Sequence, residues 1–215
     1  MEAVIENLPT YWRGFSMTLL LLAVSGVSAL VLGTIIAAMR ISPVASLRGF
    51  ATVYTELVRN TPLTLVLFFC AIILPYLGSR LDYVTAAMIG LSVYTSPFVA
   101  EALRSGINGV PIGQAEAARS VGLSFGPTVG LIVLPQAFRM TIPPLINVFI
   151  ALTKNTSVAG GFFVFELFAA TRELANANGD AVIAILLGAA TLYLLVTIPL
   201  GVIAAQLERK WVVQR

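Results

Sequence analysis

Lys154, Asn155, Thr156 and Ser157 follow one another directly, and Asn147 precedes them in the same apolar region. A lysine at membrane depth costs about 2.5–3.5 kcal/mol on insertion scales, so polar groups there are functional candidates by default. Lys154 offers a point charge for a carboxylate, and the amides and hydroxyls offer hydrogen bonds. The competing reading is that Lys154 snorkels to the outer interface and anchors its helix. Either way the chemistry is recognition, with no covalent step. The chain has no His and a single Cys, Cys70, set inside an apolar run, so zinc sites and Ser/His/Asp or Cys/His catalysis lack their residues. Cys70 reads as a small buried residue. No span carries paired carboxylates at helical spacing for acid–base work, and no GxxxxGK[ST] loop occurs. No catalytic or metal residue is therefore expected, and any ATP hydrolysis belongs to another chain.

A second charged group stands at the ends of apolar runs. Glu56, Arg59 and Asn60 lie where the second run begins, and Glu101 and Arg104 where the third ends. They are expected to form ion pairs between helices, either setting an inner gate or orienting the helices around the following loop.

The elements that position these residues are helices in lipid. A chain of 215 residues with 58% hydrophobic and 11% charged side chains has too little polar surface for a soluble domain. Its net charge of +3 is spread over short loops without an aromatic-interleaved stripe, so nucleic acid is not an expected partner. The first uncharged run, Phe15 to Met39, has 25 residues, about 37 Å of helix against a hydrocarbon core of about 30 Å. Its length and the acidic residues before it argue for a retained helix over a signal peptide. Ser25, Ala29 and Gly33 recur at four-residue spacing, a seam on which a neighbouring helix can approach closely. Further runs are Thr61 to Leu77, Val84 to Ala100, Met140 to Thr153 and Ala181 to Leu207. Asn155 to Phe165 contains Gly160-Gly161 and precedes a polar stretch, Thr171 to Asp180, so it reads as re-entrant or interfacial. Pro143-Pro144 is expected to break the fourth span near the polar pathway, and Pro97 and Pro199 to kink theirs.

Loop charges orient the five spans. With the N-terminus outside, one face receives Arg40, Arg48, Arg59, Arg104, Arg119, Arg139, Arg209, Lys210 and Arg215, nine of the thirteen basic residues. The long loop from Leu103 to Leu134 and the C-terminus then lie in the cytoplasm. Tyr11, Trp12 and Tyr83 fall at the outer interface and Trp211 at the inner one.

That loop reads Glu116-Ala117-Ala118, three residues to Gly122, nine more to Ile132, then Leu134-Pro135. Gln114 to Val121 is rich in helix formers, with Glu116 in the first turn and Arg119 in the last, able to pair at i,i+3. Gly122 suits a left-handed helix exit. Such a helix is too short to stand alone, and its small Ala115, Ala117 and Ala118 would let it seat closely in a partner's groove.

This spacing resembles the EAA signature of importer-type ATP-binding-cassette permeases. Glu56 to Leu63 is similar to the Glu-x-x-Arg-Gly-Thr-Pro-Leu element of the polar-amino-acid subfamily, with Asn60 in place of Gly. Gly113 to Arg119, Leu134 to Arg139 and Lys154 to Ser157 match that subfamily too, and the wording is most similar to actinobacterial glutamate-uptake permeases. The resemblance implies an all-α integral membrane protein of about five transmembrane helices, a single permease domain over 1–215 with a coupling loop at about 104–135. It assigns ATPase coupling to Gln114, Glu116, Ala117, Ala118, Arg119, Gly122, Leu134 and Pro135. It implies two ATPase subunits using ATP and magnesium, a second permease copy or sister permease, an extracytoplasmic solute-binding protein and a polar amino acid such as glutamate or glutamine. The setting is the bacterial cytoplasmic membrane and its lipid. A passive polar-solute channel without an ATPase is the alternative.

Overall fold

A computed structural model describes residues 2–211, with the side chains of Glu2 and Ala3 left aside; Arg215, used above for orientation, lies outside them. A short helix, Glu2–Glu6, precedes α1, Leu8–Ile41. Then follow α2 (Ala45–Arg59), α3 (Leu63–Tyr76, including a π-helical stretch at Phe69–Ile73), α4 (Tyr83–Asn108) and α5 (Ile112–Ser120). A helical entry through Phe125–Pro127 and a π-helical stretch at Thr128–Val133 leads into α6 (Leu134–Asn155), which tightens to a 3-10 turn at Thr156–Gly161. The chain closes with α7 (Leu167–Ala177) and α8 (Val182–Trp211). No strand occurs among the described residues.

Four helical stretches are long and apolar enough to cross a membrane: α1, α4, Phe125–Gly161 and α8. The expected second span is built differently. α2 and α3 are separate helices bent 101° apart, because Pro62 has no N–H to continue α2 and its fixed φ suits the start of α3. Counting the bent pair as one span restores the five expected.

α1 packs on α4 along the small-residue seam. Ser25 and Ala29 are fully buried, and the Ser25 hydroxyl donates to the Met88 carbonyl at 3.3 Å. A β-carbon on Gly33 would stand 2.6 Å from Val99 and 2.7 Å from the Ser96 carbonyl oxygen, so the two backbones touch there. α6 packs on α4 and α8, and its Phe149 lies against Gly26 of α1. Leu21, Leu67, Leu91 and Leu152, from four different helices, form the centre of the core. Cys70 is buried beside it. Asp82 caps α4 by accepting from the Thr85 backbone and hydroxyl, and these bonds hold its carboxyl below the ordinary carboxylate range.

Several sequence expectations are corrected. α6 runs unbroken through Pro143 and Pro144; packing between α4 and α8 holds it together where the ring nitrogens donate nothing. The break falls later, at Thr156, inside the segment expected to be re-entrant. That segment is a 3-10 turn followed by Phe163 at a φ of +62°, and the polar stretch after it is mostly the helix α7, packed on α1 and α8. Pro97 and Pro199, where kinks are expected, lie inside the helices α4 and α8. Trp12 is 66% exposed as an interface residue would be, but Tyr11 is buried and its hydroxyl donates to the Ile185 carbonyl at 2.7 Å, tying α1 to α8.

Candidate functional site

Three features stand in line from the loop end of the fold towards its opposite end: a short exposed helix, a charged knot and a cavity.

The exposed helix is α5. It starts two residues earlier than expected, so Glu116 is its fifth residue and not in its first turn. Its exit is a Schellman motif: Gly122 at a φ of +89° donates to the Arg119 carbonyl, and Leu123 donates to the Ala118 carbonyl. Ala118 is buried on the chain's own Thr128–Val133 turn, while Gln114, Glu116, Ala117 and Arg119 are exposed. The expected Glu116–Arg119 ion pair does not form; among the described residues neither side chain has an ionic partner. Both charges point outward and compete with water, which leaves little to gain from pairing. Ile112, Val121 and Phe125 surround the helix at 77%, 80% and 76% exposure. Leu134 and Pro135 open α6, behind a Gln136 amide that donates to the Ile132 carbonyl.

The knot forms on Glu101. Arg40 from the end of α1 and Arg104, one turn on in α4, both bond its carboxylate, and Arg59 from the end of α2 lies 3.8 Å away. Glu56 and Asn60 stay outside it; Asn60 donates to the Glu56 carbonyl within α2. Arg40 is the member the sequence did not reveal. Its signal was present, since one lone acid in a span requires a base from a neighbour.

Beyond the knot, α4 and α6 enclose a cavity of about 440 Å³ lined by Tyr94, Thr95, Phe98, Asn147 and Asn155 among others. The Thr95 hydroxyl is buried with no hydrogen-bond partner among the described residues. Asn147 and Asn155 were expected here. Lys154 is exposed and does not line the cavity; Ser157 donates to the Lys154 carbonyl, and Thr156 is buried, donating to the Thr153 carbonyl. A larger cavity of about 720 Å³ lies between Leu8, Tyr11 and the start of α8, with a mainly aliphatic lining and no comparable polar group beyond Asp180 and Thr191.

Sequence reasoning also passed over Glu166. Its carboxylate is fully buried, caps α7 by accepting from Phe168 and Ala169 N–H at 2.8 Å each, and accepts from the Tyr193 hydroxyl of α8. Beside it the Leu167 N–H donates to Thr18 of α1. These bonds fasten the 3-10 break of α6 to the outer two helices.

A helical membrane protein with a small exposed helix on its loop and a polar cavity between spans has the architecture of a transport subunit. The sequence matches the model of the binding-protein-dependent transport system inner membrane component over residues 29–213, and the chain belongs to that family. It is 40% identical to the glutamate transport system permease protein GluC of Corynebacterium glutamicum, over 97% of this chain and 95% of that one. It is 38% identical to the probable glutamine permease protein GlnM of Bacillus subtilis, over 98% and 97%. The crystal structure of an amino acid ABC transporter with histidines superposes at a TM-score of 0.88, with 27% identity and 96% of each chain covered. The methionine transporter MetNI shares the fold at a TM-score of 0.70 and 19% identity. The fold is thus that of a type I importer permease.

Proposed function

We propose that this chain is the membrane-embedded subunit of an ATP-driven importer that carries a polar amino acid of the glutamate and glutamine class into the bacterial cytoplasm. The N-terminus faces outward, and α5 with the C-terminus faces the cytoplasm. The observation that carries the reading is α5: a helix of nine residues, capped by a glycine no other residue replaces without strain, presents Gln114, Glu116, Ala117 and Arg119 to a partner. That helix seats in the groove of an ATPase subunit, one of two that attach below the permease pair and hydrolyse ATP with magnesium. A second copy or sister permease completes the pathway, and an extracytoplasmic binding protein delivers the substrate. Asn147, Asn155 and Thr95 supply hydrogen bonds to it in the cavity. Lys154, on the open surface at the outer end of α6, attracts the incoming carboxylate. The names of the relatives support the substrate class, and the exposed apolar rim of Ile112, Val121 and Phe125 supports a docked partner.

The test is uptake by proteoliposomes holding permease, ATPase and binding protein. Accumulation is expected only with ATP and magnesium. Gly122→Val, whose β-branched side chain is incompatible with a φ of +89°, is expected to abolish accumulation while the permease remains inserted. Downhill flux through the permease alone would make it a passive channel and reject the reading.

A further inference from the structure

The cavity and the knot differ sharply in charge. Among the described residues no charged side chain lines the cavity. The knot gathers three guanidinium groups on one carboxylate, a surplus of two positive charges among its four members. The surplus is not buried away: the Arg59 and Arg104 side chains are 41% and 37% exposed, against 13% for Arg40. Glu56, one turn before Arg59, forms no ion pair among the described residues and points to solvent. Arg104 also keeps its Nε buried with no acceptor, so the knot is short of acceptor atoms as well as of negative charge.

Phe98 joins the two regions. Its ring lines the cavity, meets Tyr94 in a tilted contact at 5.4 Å between centroids, and has the Arg59 guanidinium carbon 5.7 Å from its own centroid. One helical turn further along α4 comes Glu101, and beyond it the chain runs into α5. The knot therefore lies between the cavity and the exposed helix.

We propose that Arg59 and Arg104, held around Glu101, form a carboxylate station that a net-anionic amino acid reaches past Phe98 when it leaves the neutral cavity. The proposal deepens the importer reading and rests on it. In the cavity a zwitterion and an anion meet the same neutral hydrogen-bonding groups. At the knot they diverge, because only the anion brings the negative charge that the guanidinium surplus lacks. Arg59 then favours acidic over neutral cargo, and a cationic amino acid is repelled at the same step.

The chemistry of a carboxylate is shared by lipid phosphate, and the experiment separates the two. The complete importer is reconstituted in phosphatidylcholine with or without phosphatidylglycerol, and ATP-driven uptake of glutamate and of glutamine is measured for wild type, Arg59→Gln and Arg59→Lys at matched incorporation. The glutamate-to-glutamine uptake ratio is expected to fall about two- to fivefold in Arg59→Gln, the range for a partly exposed charge pair, to stay near wild type in Arg59→Lys, and to do so in both lipids. An equal loss for both substrates marks a purely structural residue and overturns the proposal. So does an effect confined to vesicles with phosphatidylglycerol, which would assign the knot to lipid, or an importer that carries glutamine but no glutamate. Absence of ATP-driven uptake of any amino acid by the wild type would instead refute the importer reading itself.

Discussion

Replacing Gly33 by alanine tests the α1–α4 seam directly. The added methyl would meet Val99 Cβ and Cγ1 at 2.6 Å and the Ser96 carbonyl oxygen at 2.7 Å. The first two atoms belong to a β-branched side chain with few rotamers and the third to backbone, so relief requires moving a helix. Gly49, inside α2, has nothing within 4 Å of the same position. Both glycines sit within helices, and each substitution gains the same helix propensity, about 1 kcal/mol. The difference between the two isolates the close approach. Overpacking costs about 1–3 kcal/mol, so Gly49→Ala is expected to be stabilised by up to about 1 kcal/mol and Gly33→Ala to fall about 1–3 kcal/mol below it. Denaturant unfolding of the detergent-solubilised permease, followed by circular dichroism, measures both midpoints. Equal shifts would refute the reasoning, since a seam loose enough to accept a methyl is not what holds α1 to α4.

Three further outcomes follow from the buried polar groups. Thr95→Val keeps shape and removes an unpartnered hydroxyl, so uptake is expected to show a KM raised about two- to tenfold, the worth of one hydrogen bond, with thermal stability unchanged or higher. Glu166→Ala strands two backbone donors and the Tyr193 hydroxyl and is expected to cost about 2–4 kcal/mol; Glu166→Gln keeps one acceptor oxygen and should fall between it and wild type in a thermal melt. Glu101→Gln leaves Arg40, whose side chain is 13% exposed, without its counter-charge, and an expected loss of about 1–3 kcal/mol reflects a site less buried than the pairs that cost about 3–5; loss of membrane-inserted protein on heating checks it.

The spans were legible because lipid excludes charge, so uncharged runs mark where each one lies, while the charged turns at their ends, as from Glu101 to Asn108 in α4, continue the helices beyond the runs. Ser25, Ala29 and Gly33 announced their seam for a similar reason, their small size being useful only at a close approach. The elbow at Pro62 was hidden, since Arg48, Glu56 and Arg59 keep α2 out of the uncharged runs and a run from Thr61 to Leu77 does not show where the helix before it points. Asn147 and Asn155 were readable as cavity residues, for an amide in an apolar run is out of place. Thr95 was not: Thr141, Thr153 and Thr171 each bond a carbonyl four residues back, and only the packed structure separates the hydroxyl that fails to do so. Arg40 counted only as a loop charge, because its partner lies 61 residues away in sequence. Glu166 was masked by the glycine-rich segment it terminates.

The angle of 101° between α2 and α3 gives the chain a crank. Leu63 and Leu67 seat one arm in the core, while the other arm carries Arg59 at its inner end, next to the bend, and has only Ala51 and Thr55 buried. Arg59 stands beside that elbow, so a swing of α2 about Thr61-Pro62 would move Ala45 furthest and the guanidinium least, and leave the leucines where they are. Ala51, packed with Ile36, Ala37 and Ala100, anchors that arm along its length, so the bend holds one charge steady against Phe98.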